Sequence, residues 1–402
     1  MLATGIAKQL RYKAESSWAV PPGASGAQLL RRVQSTLALK KATFQSNELV
    51  STYQLQDFRH GPRTVDGAIN GELSPGTWED FIAAALRRLF TAVTASSGLS
   101  ITITGAGPTY NVARSAGSWL TDGAKIGMVG RFTAGTFNAL NSQKNLVFTA
   151  VTALNLTVMT LNGSALFAEG PIATATMTYP GKVTFVPQTG HTDTSFSIEH
   201  YHADLVLSER FDGCKINQMD VGLPPSGIGT INSAFIGRDM TPGVAAYYTA
   251  PTAESTSGLL AASNGLLIAQ GAAIAVVTSL NFSVKGNMVG EGVIGSNLYA
   301  DITEGRVMVD GQFTALFDSA TIRDYFLNET EVSLAAVMPA SPAANAEFMS
   351  FVLPRVKLGA ADKDDGDKAL VQTCPFTALE NVTGGAGVSS ERTTVWVQDS
   401  LA

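Results

Sequence analysis

Two groups of side chains in this chain have the make-up of a ligand site. His200-Tyr201-His202 puts two imidazoles on one face of an extended strand, with Glu199 and His191 close in sequence. Such a set suits a divalent cation. Asp362-Lys363-Asp364-Asp365-Gly366-Asp367 has the oxygen density of a calcium loop. Its glycine comes one position early, however, and Thr373 stands where the bidentate glutamate belongs. Thr104-Gly105-Ala106-Gly107-Pro108 has the glycines of a phosphate loop, but no Lys-Ser/Thr follows and Pro108 removes an amide donor. A nucleophile elbow of the Gly-x-Ser-x-Gly type is missing, as is a Cys-His pair in a matching motif. The expected roles are therefore an interface pair for the imidazoles and a solvated hairpin tip for the acidic run. No catalytic residue, metal or cofactor is expected.

Composition narrows the function further. Only 15% of the 402 residues are charged, 45% are hydrophobic, and 27 Lys+Arg against 33 Asp+Glu leave a net charge of −6. Intrinsic disorder needs the opposite balance. A protein that grips phosphate needs a basic surface. So little charge on a chain of this length implies that much neutral surface is covered, and copies of the same chain are one way to cover it. Residues 1–15 carry Lys8, Arg11 and Lys13 but no apolar run, so no secretory leader is expected. The most apolar stretch, 258–280, is broken by Ser263, Asn264, Gln270 and glycines, which argues against a membrane span. Cys214 and Cys374 are too few for a disulfide framework and read as buried free thiols.

The elements that would position these residues are mostly strands. Period-two alternation marks 99–104, 155–161, 182–186, 196–202 and 306–313, with Gly, Pro, Asn and Asp clusters between them. Two helices are expected. One covers 77–90, with Glu79 and Asp80 in its first turn and Arg87 and Arg88 near its end, a polarity that suits the helix dipole. The other covers 319–327, capped by Asp318 or Ser319.

The two strand–helix segments resemble each other. A shift of 244 without gaps brings Asp57 onto Asp301, Gly61 onto Gly305, Val65-Asp66-Gly67 onto Val309-Asp310-Gly311, Thr77 onto Thr321 and Asp80 onto Asp324. These are seven identities in the 27 positions 57–83, where residue usage alone gives about two. Asp66, Gly67, Asp310 and Gly311 are thus equivalent positions of a duplicated unit. Strand–loop–strand patterns follow both helices, at 214–235 and 351–376. The Gly- and Thr-dense stretch between the first helix and its pattern reads as an inserted β domain. The expected organisation is a first unit over 1–97 and 182–245, an insertion at 98–181, a linker at 246–262 and a second unit over 263–402.

Leu10-Arg11-Tyr12-Lys13-Ala14-Glu15-Ser16-Ser17-Trp18-Ala19-Val20-Pro21-Pro22 resembles the opening of bacteriophage tail tube proteins. Phe58-Arg59-His60-Gly61-Pro62-Arg63, Gly71-Glu72-Leu73-Ser74-Pro75-Gly76-Thr77-Trp78, Phe211-Asp212-Gly213-Cys214-Lys215-Ile216-Asn217, 305–311 and 353–358 fit its later blocks in order. The resemblance implies a mainly β fold of duplicated sandwich or barrel units, each with a flanking helix. It implies a virion protein of a long, sheathless tail, assembled in the bacterial cytoplasm. Rings would stack into a tube that conducts DNA, and two units per chain would make three chains a pseudo-sixfold ring. Its partners would be itself, the tape measure protein and DNA within the lumen without tight binding, and the terminator and tail-tip proteins. A loop carrying Lys40, Lys41, Gln45, Glu48, Asp57 and Arg59 would reach the neighbouring ring. The acidic loop with Asp362, Asp364, Asp365 and Asp367 would face the lumen or a ring contact. Lumen-facing residues are expected to be mostly Asp, Glu, Ser, Thr and Asn. A tail terminator, a minor tail protein or a carbohydrate-binding β adhesin are the alternatives.

Overall fold

The computed structural model describes residues 2–273, 277–365 and 367–402. The chain is mainly β. Its N-terminal lobe is built from β1 (Lys8–Ala14), β2 (Ala38–Gln45), β3 (Phe58–Glu72) and α1 (Glu79–Ala85). Six strands then intervene: β4 (Ser96–Thr104), β5 (Thr109–Arg114), β6 (Val129–Ala134), β7 (Leu146–Val151), β8 (Asn155–Thr160) and β9 (Glu169–Thr178). They close into a barrel in the order β7-β8-β5-β4-β9-β6. After β10 (Lys182–Phe185) the lobe resumes with β11 (Phe196–His202), β12 (Leu207–Leu223) and β13 (Thr230–Gly237).

The C-terminal lobe contains β14 (Leu266–Ala269), β15 (Val277–Lys285), the hairpin β16 (Val289–Gly292) and β17 (Tyr299–Thr303), β18 (Met308–Leu316) and α2 (Thr321–Leu327). It continues through β19 (Val332–Pro339), β20 (Phe348–Leu358), β21 (Asp362–Lys363), β22 (Val371–Ala378) and β23 (Trp396–Asp399).

The lobes share one plan. In the first, neighbouring strands run β2-β3-β13-β12-β11-β1. In the second they run β15-β18-β22-β20-β19-β14. Each set is visited by the chain in the same order, with the helix after the third strand visited. Register agrees too. Gly67 stands opposite Phe235 and Gly311 opposite Phe376. A Cβ at Gly67, where φ is +144°, would collide with the Thr36 backbone, and one at Gly311 with the Asn281 carbonyl. Only glycine permits such close strand approach. Even a bulge is repeated: Phe196 and Ile198 face Cys214 and Phe211, as Val332 and Leu334 face Val356 and Leu353. The lobes join edge to edge, β12 running antiparallel to β15 from Gln218↔Lys285 to Leu223↔Leu280.

One core runs through both lobes, including Val65, Ile69, Phe235, Phe282, Val309 and Phe376. A second core fills the barrel and continues into the C-terminal lobe through Ala335, Val337, Val352 and Trp396. Buried Gln398 on β23 pins the two together. Its amide donates to the Val129 and Pro180 carbonyls (both 3.0 Å) and its oxygen accepts from the Val129 N–H (2.9 Å).

Several expectations need correction. The first helix ends at Ala85 rather than near residue 90, because Arg87 takes a left-handed backbone (φ +56°). Arg87 and Arg88 therefore do not close the helix dipole. The second helix begins at Thr321, and its cap is Ala320, which makes no side-chain capping bond; the Ser319 hydroxyl donates to the Thr321 hydroxyl (3.2 Å) rather than to the helix backbone. The strand expected at 306–313 begins at Met308 and runs to Leu316. Strand 196–202 occurs as expected. Both cysteines are buried and free. Of the apolar stretch 258–280, residues 274–276 lie outside the described residues. Among the described residues no helix is long and apolar enough to cross a membrane.

Candidate functional site: a polar sheet face and two hairpin tips

Alternation along the joined lobes sorts side chains onto two faces. Val65, Ile69, Met219, Ile231, Phe282 and Val309 point into the core. Asp66, Asn70, Asp220, Asn232, Ser283 and Asp310 point away from it, as period two requires. A groove of about 730 Å³ runs over this outer face across the lobe junction, lined by Asn70, Asp220, Asn232, Ser283, Asp310 and Gln312 among others. Asp220 sits at its centre and accepts hydrogen bonds from Gln218 (2.7 Å), Asn232 (3.0 Å) and Ser283 (2.6 Å), so strands of both lobes share one carboxylate. Lys40 pairs with Asp66 and Lys285 with Asp310 (2.9 Å). These ion pairs are equivalent, since Lys40 stands opposite Thr64 and Lys285 opposite Met308, 244 residues apart. With each lysine matched to its own carboxylate, Asp220 is left as the surplus charge of the group. Such a face presents hydrogen-bonding groups but little net attraction for phosphate.

Both lobes also carry a hairpin between the equivalent strands. Between β2 and β3, Leu49, Tyr53 and Leu55 are exposed, Leu49 and Tyr53 fully. Between β15 and β18, Val293 and Ile294 are exposed. The shift of 244 brings Leu49-Val50 onto Val293-Ile294, so both tips are apolar at the same place. Apolar groups left in water at a repeated position mark a contact surface.

Lys40, Lys41 and Gln45 lie on β2, and Glu48 is exposed in the loop beyond it. Asp57 pairs with Arg59 (2.7 Å), and this hydrogen bond holds the Asp57 carboxyl below the usual range. Asp362 lies on β21, Asp364 accepts from the Val371 N–H (2.6 Å), and Asp365 and Asp367 are exposed; Gly366 lies outside the described residues. The two groups occupy outer edges of different lobes and do not meet within one chain.

The histidines behave as structural groups. His200 is buried with Nε2 2.8 Å from the Ser35 hydroxyl, and burial, aided by Lys8 and Arg32, holds its pKa down at about 2. Glu199 is buried, 3.7 Å from Arg11, and accepts from the Tyr247 (2.5 Å) and Tyr248 (3.2 Å) N–H groups. His191 lines a separate cleft. Among the described residues no group of three or more His, Cys, Asp or Glu side chains gathers as a metal site would. Thr104–Pro108 is the turn between barrel strands β4 and β5.

Two buried cations were not anticipated. Lys215 pairs with Asp193 (2.7 Å) and donates to the Ile302 carbonyl (3.0 Å). Arg87 donates to the Gly286 carbonyl (3.1 Å) and lies 3.3 Å from Glu304. Both fasten the N-terminal lobe to the second hairpin. Their only sequence signal was a basic residue inside an otherwise apolar segment.

The chain belongs to the phage tail tube protein family, whose pattern it matches over residues 5–378. None of the curated proteins matches it. Family membership makes the chain a structural component of the virion tail, one that assembles with itself into a tube.

Proposed function

We propose that three chains close into a ring of six lobes and that rings stack into the tube of a long, non-contractile tail. The observation that carries this reading is the repeated strand order joined edge to edge at β12–β15. A chain holding two equivalent units needs three copies for six, and closure removes the open strand edges that otherwise aggregate. In this reading, 1–97 with 182–245 form the first unit, 246–262 the linker and 263–402 the second unit. The 98–181 insertion decorates the outside, opposite the polar face.

The polar face lines the lumen. Its Asp, Asn, Ser and Gln side chains, with lysines already paired, let the tape measure protein and then DNA pass without tight binding. The two apolar tips provide ring-to-ring contact, the first within the segment that carries Lys40 to Arg59. Rings assemble in the host cytoplasm, and terminator and tip proteins cap the stack.

Electron microscopy of the purified protein tests this. Tubes with a regular axial repeat and three chains per ring are expected, and six chains per ring would overturn the trimer. Single rings that never stack would favour a terminator. Leu49→Asp combined with Ile294→Asp should leave rings intact and abolish tubes. Normal tubes from that variant would remove the tips from stacking.

A further inference from the structure

The two hairpins differ in a way the shared strand plan does not require. The second is seated against the N-terminal lobe. The Arg63 N–H donates to the Asn297 carbonyl (2.9 Å) and the Arg238 guanidinium to the Tyr299 carbonyl (3.1 Å). Its seat is the corner where the start of β3 meets the end of β13. In the C-terminal lobe the matching corner, where β18 starts and β22 ends, is an open cleft of about 800 Å³, lined there by Val307, Met308, Ala378 and Leu379 and walled on the other side by Pro187, Gln188 and His191. The shift of 244 places Val307 at Arg63. Register places Leu379 at Arg238, since Gly237 faces Val65 as Ala378 faces Val309. The lobe that lends its hairpin thus keeps an empty seat, and the lobe that fills its seat keeps a free hairpin.

We infer that the 46–57 hairpin of one chain seats in the Val307–Leu379 cleft of a second copy within the same ring. The inference rests on the ring proposed above and assigns its chain-to-chain contact. Three observations support it. The shift of 244 puts Tyr53 at Asn297 and Leu55 at Tyr299, the two positions that make the internal contact. Both side chains are exposed in the single chain. Where the internal seat offers two arginines to two carbonyls, the open seat offers half-buried Val307 and Leu379 to exposed Tyr53 and Leu55, so apolar groups of the hairpin now in water would be covered.

The strand edges agree. β12 lies beside β15 at the internal junction, and β21 stands in the place of the outer half of β12. Asp220 faces Asn232 and Asp362 faces Thr373, each three residues before the phenylalanine that faces the repeat glycine. Seating the free hairpin would lay β2 along β21. Among the described residues, neither has a partner on its outer edge. By the register of the internal junction, Lys40 on β2 would then lie diagonally across from Asp362, opposite charges on one face of an edge that completes a sheet. The tip, Leu49-Val50, would extend past the seat as Val293-Ile294 does.

The full-length chain carrying Tyr53→Cys and Val307→Cys tests the assignment, because native Cys214 and Cys374 are buried and do not compete. Under mild oxidation a reducible ladder should stop at three linked chains, and neither single variant should give it. Tyr53→Asp with Leu55→Asp should leave a folded monomer by circular dichroism and at least a tenfold loss of rings by sedimentation. Rings without the cross-link, or a ladder running past three chains as an axial contact would give, would overturn the seat and leave the tube reading standing. Wild-type protein that stays monomeric would overturn the ring itself, and the seat with it.

Discussion

The two lobes follow one strand plan and bury different things. In the first, α1 is core: Phe81, Ile82, Ala83, Ala84 and Ala85 are all buried, and Phe81 meets Tyr12, Phe196 and Phe235. In the second, only Ile322 of α2 is buried, while Phe326 and Leu327 are exposed. The outer sheets differ in the same spirit. Glu199 and His200 of β11 stand where β19 has Ala335 and Ala336. Over β11 lies the segment with Tyr247 and Tyr248, whose N–H groups answer the carboxylate. Over β19 lies the barrel, which offers Gly127 and an apolar core. What covers a position therefore decides its chemistry: a polar strand where the cover brings backbone donors, an apolar one where it brings side chains. The insertion interrupts the first lobe in sequence and completes the second in space.

The helices test this contrast most strongly. Phe81→Ala should destabilise the chain by about 3–5 kcal/mol, the range for emptying a packed aromatic site. Phe326→Ala should cost under about 1 kcal/mol in the unassembled chain, since little is buried there. Urea unfolding of both variants measures the difference, and equal losses would erase the contrast between the helices.

The outer sheets differ in their response to acid. Burial holds His200 at about 2, well below its usual 6.5, so below that usual value the unfolded chain takes a proton that the folded one refuses. Stability from this group is full above pH 6.5 and is lost as pH falls. His200→Gln removes the penalty and should gain about 2 kcal/mol relative to wild type between pH 7 and pH 5. Ala336, its counterpart, has nothing to titrate. Asp399 acts in the opposite sense, because burial pushes its carboxyl up to about 6 and stability from it is lost as pH rises from about 4. The measurement is therefore the variant against wild type at each pH, by thermal unfolding. A difference independent of pH would show that His200 is not the acid-sensitive group.

The smallest effect belongs to the polar face. The pairs Lys40–Asp66 and Lys285–Asp310 are partly exposed, and exposed pairs contribute at most about 1 kcal/mol. Lys40→Ala and Lys285→Ala should each change stability by about 0.5 kcal/mol and by similar amounts. A large loss from one alone would show that the two sites, equivalent in register, are unequal in environment.

Much of the strand plan was legible because alternation is a local signal. Phe196–His202 reads as a strand from its own residues, and 57–83 announces its repeat through Asp66-Gly67 and Asp310-Gly311, whose glycines answer to close strand approach. Helix lengths were not legible. Residues 86–90 have helical composition, yet Arg87 turns left-handed and its side chain is drawn to Gly286 and Glu304. The pull comes from a lobe about 200 residues away. The hairpin segment 40–59 stood out by composition, but its apolar tip, Leu49 and Tyr53, was hidden among the polar residues around it.

By itself the sequence determined the fold class, the duplication and the low charge, because alternation, repeated spacing and composition are properties of the chain alone. Tertiary structure decided what each repeat unit faces. The β12–β15 junction, the barrel resting on β19 and the filled and empty hairpin seats all join residues far apart in the chain. No local pattern encodes such contacts, since the free energy that selects them is released only when distant surfaces meet and exclude water.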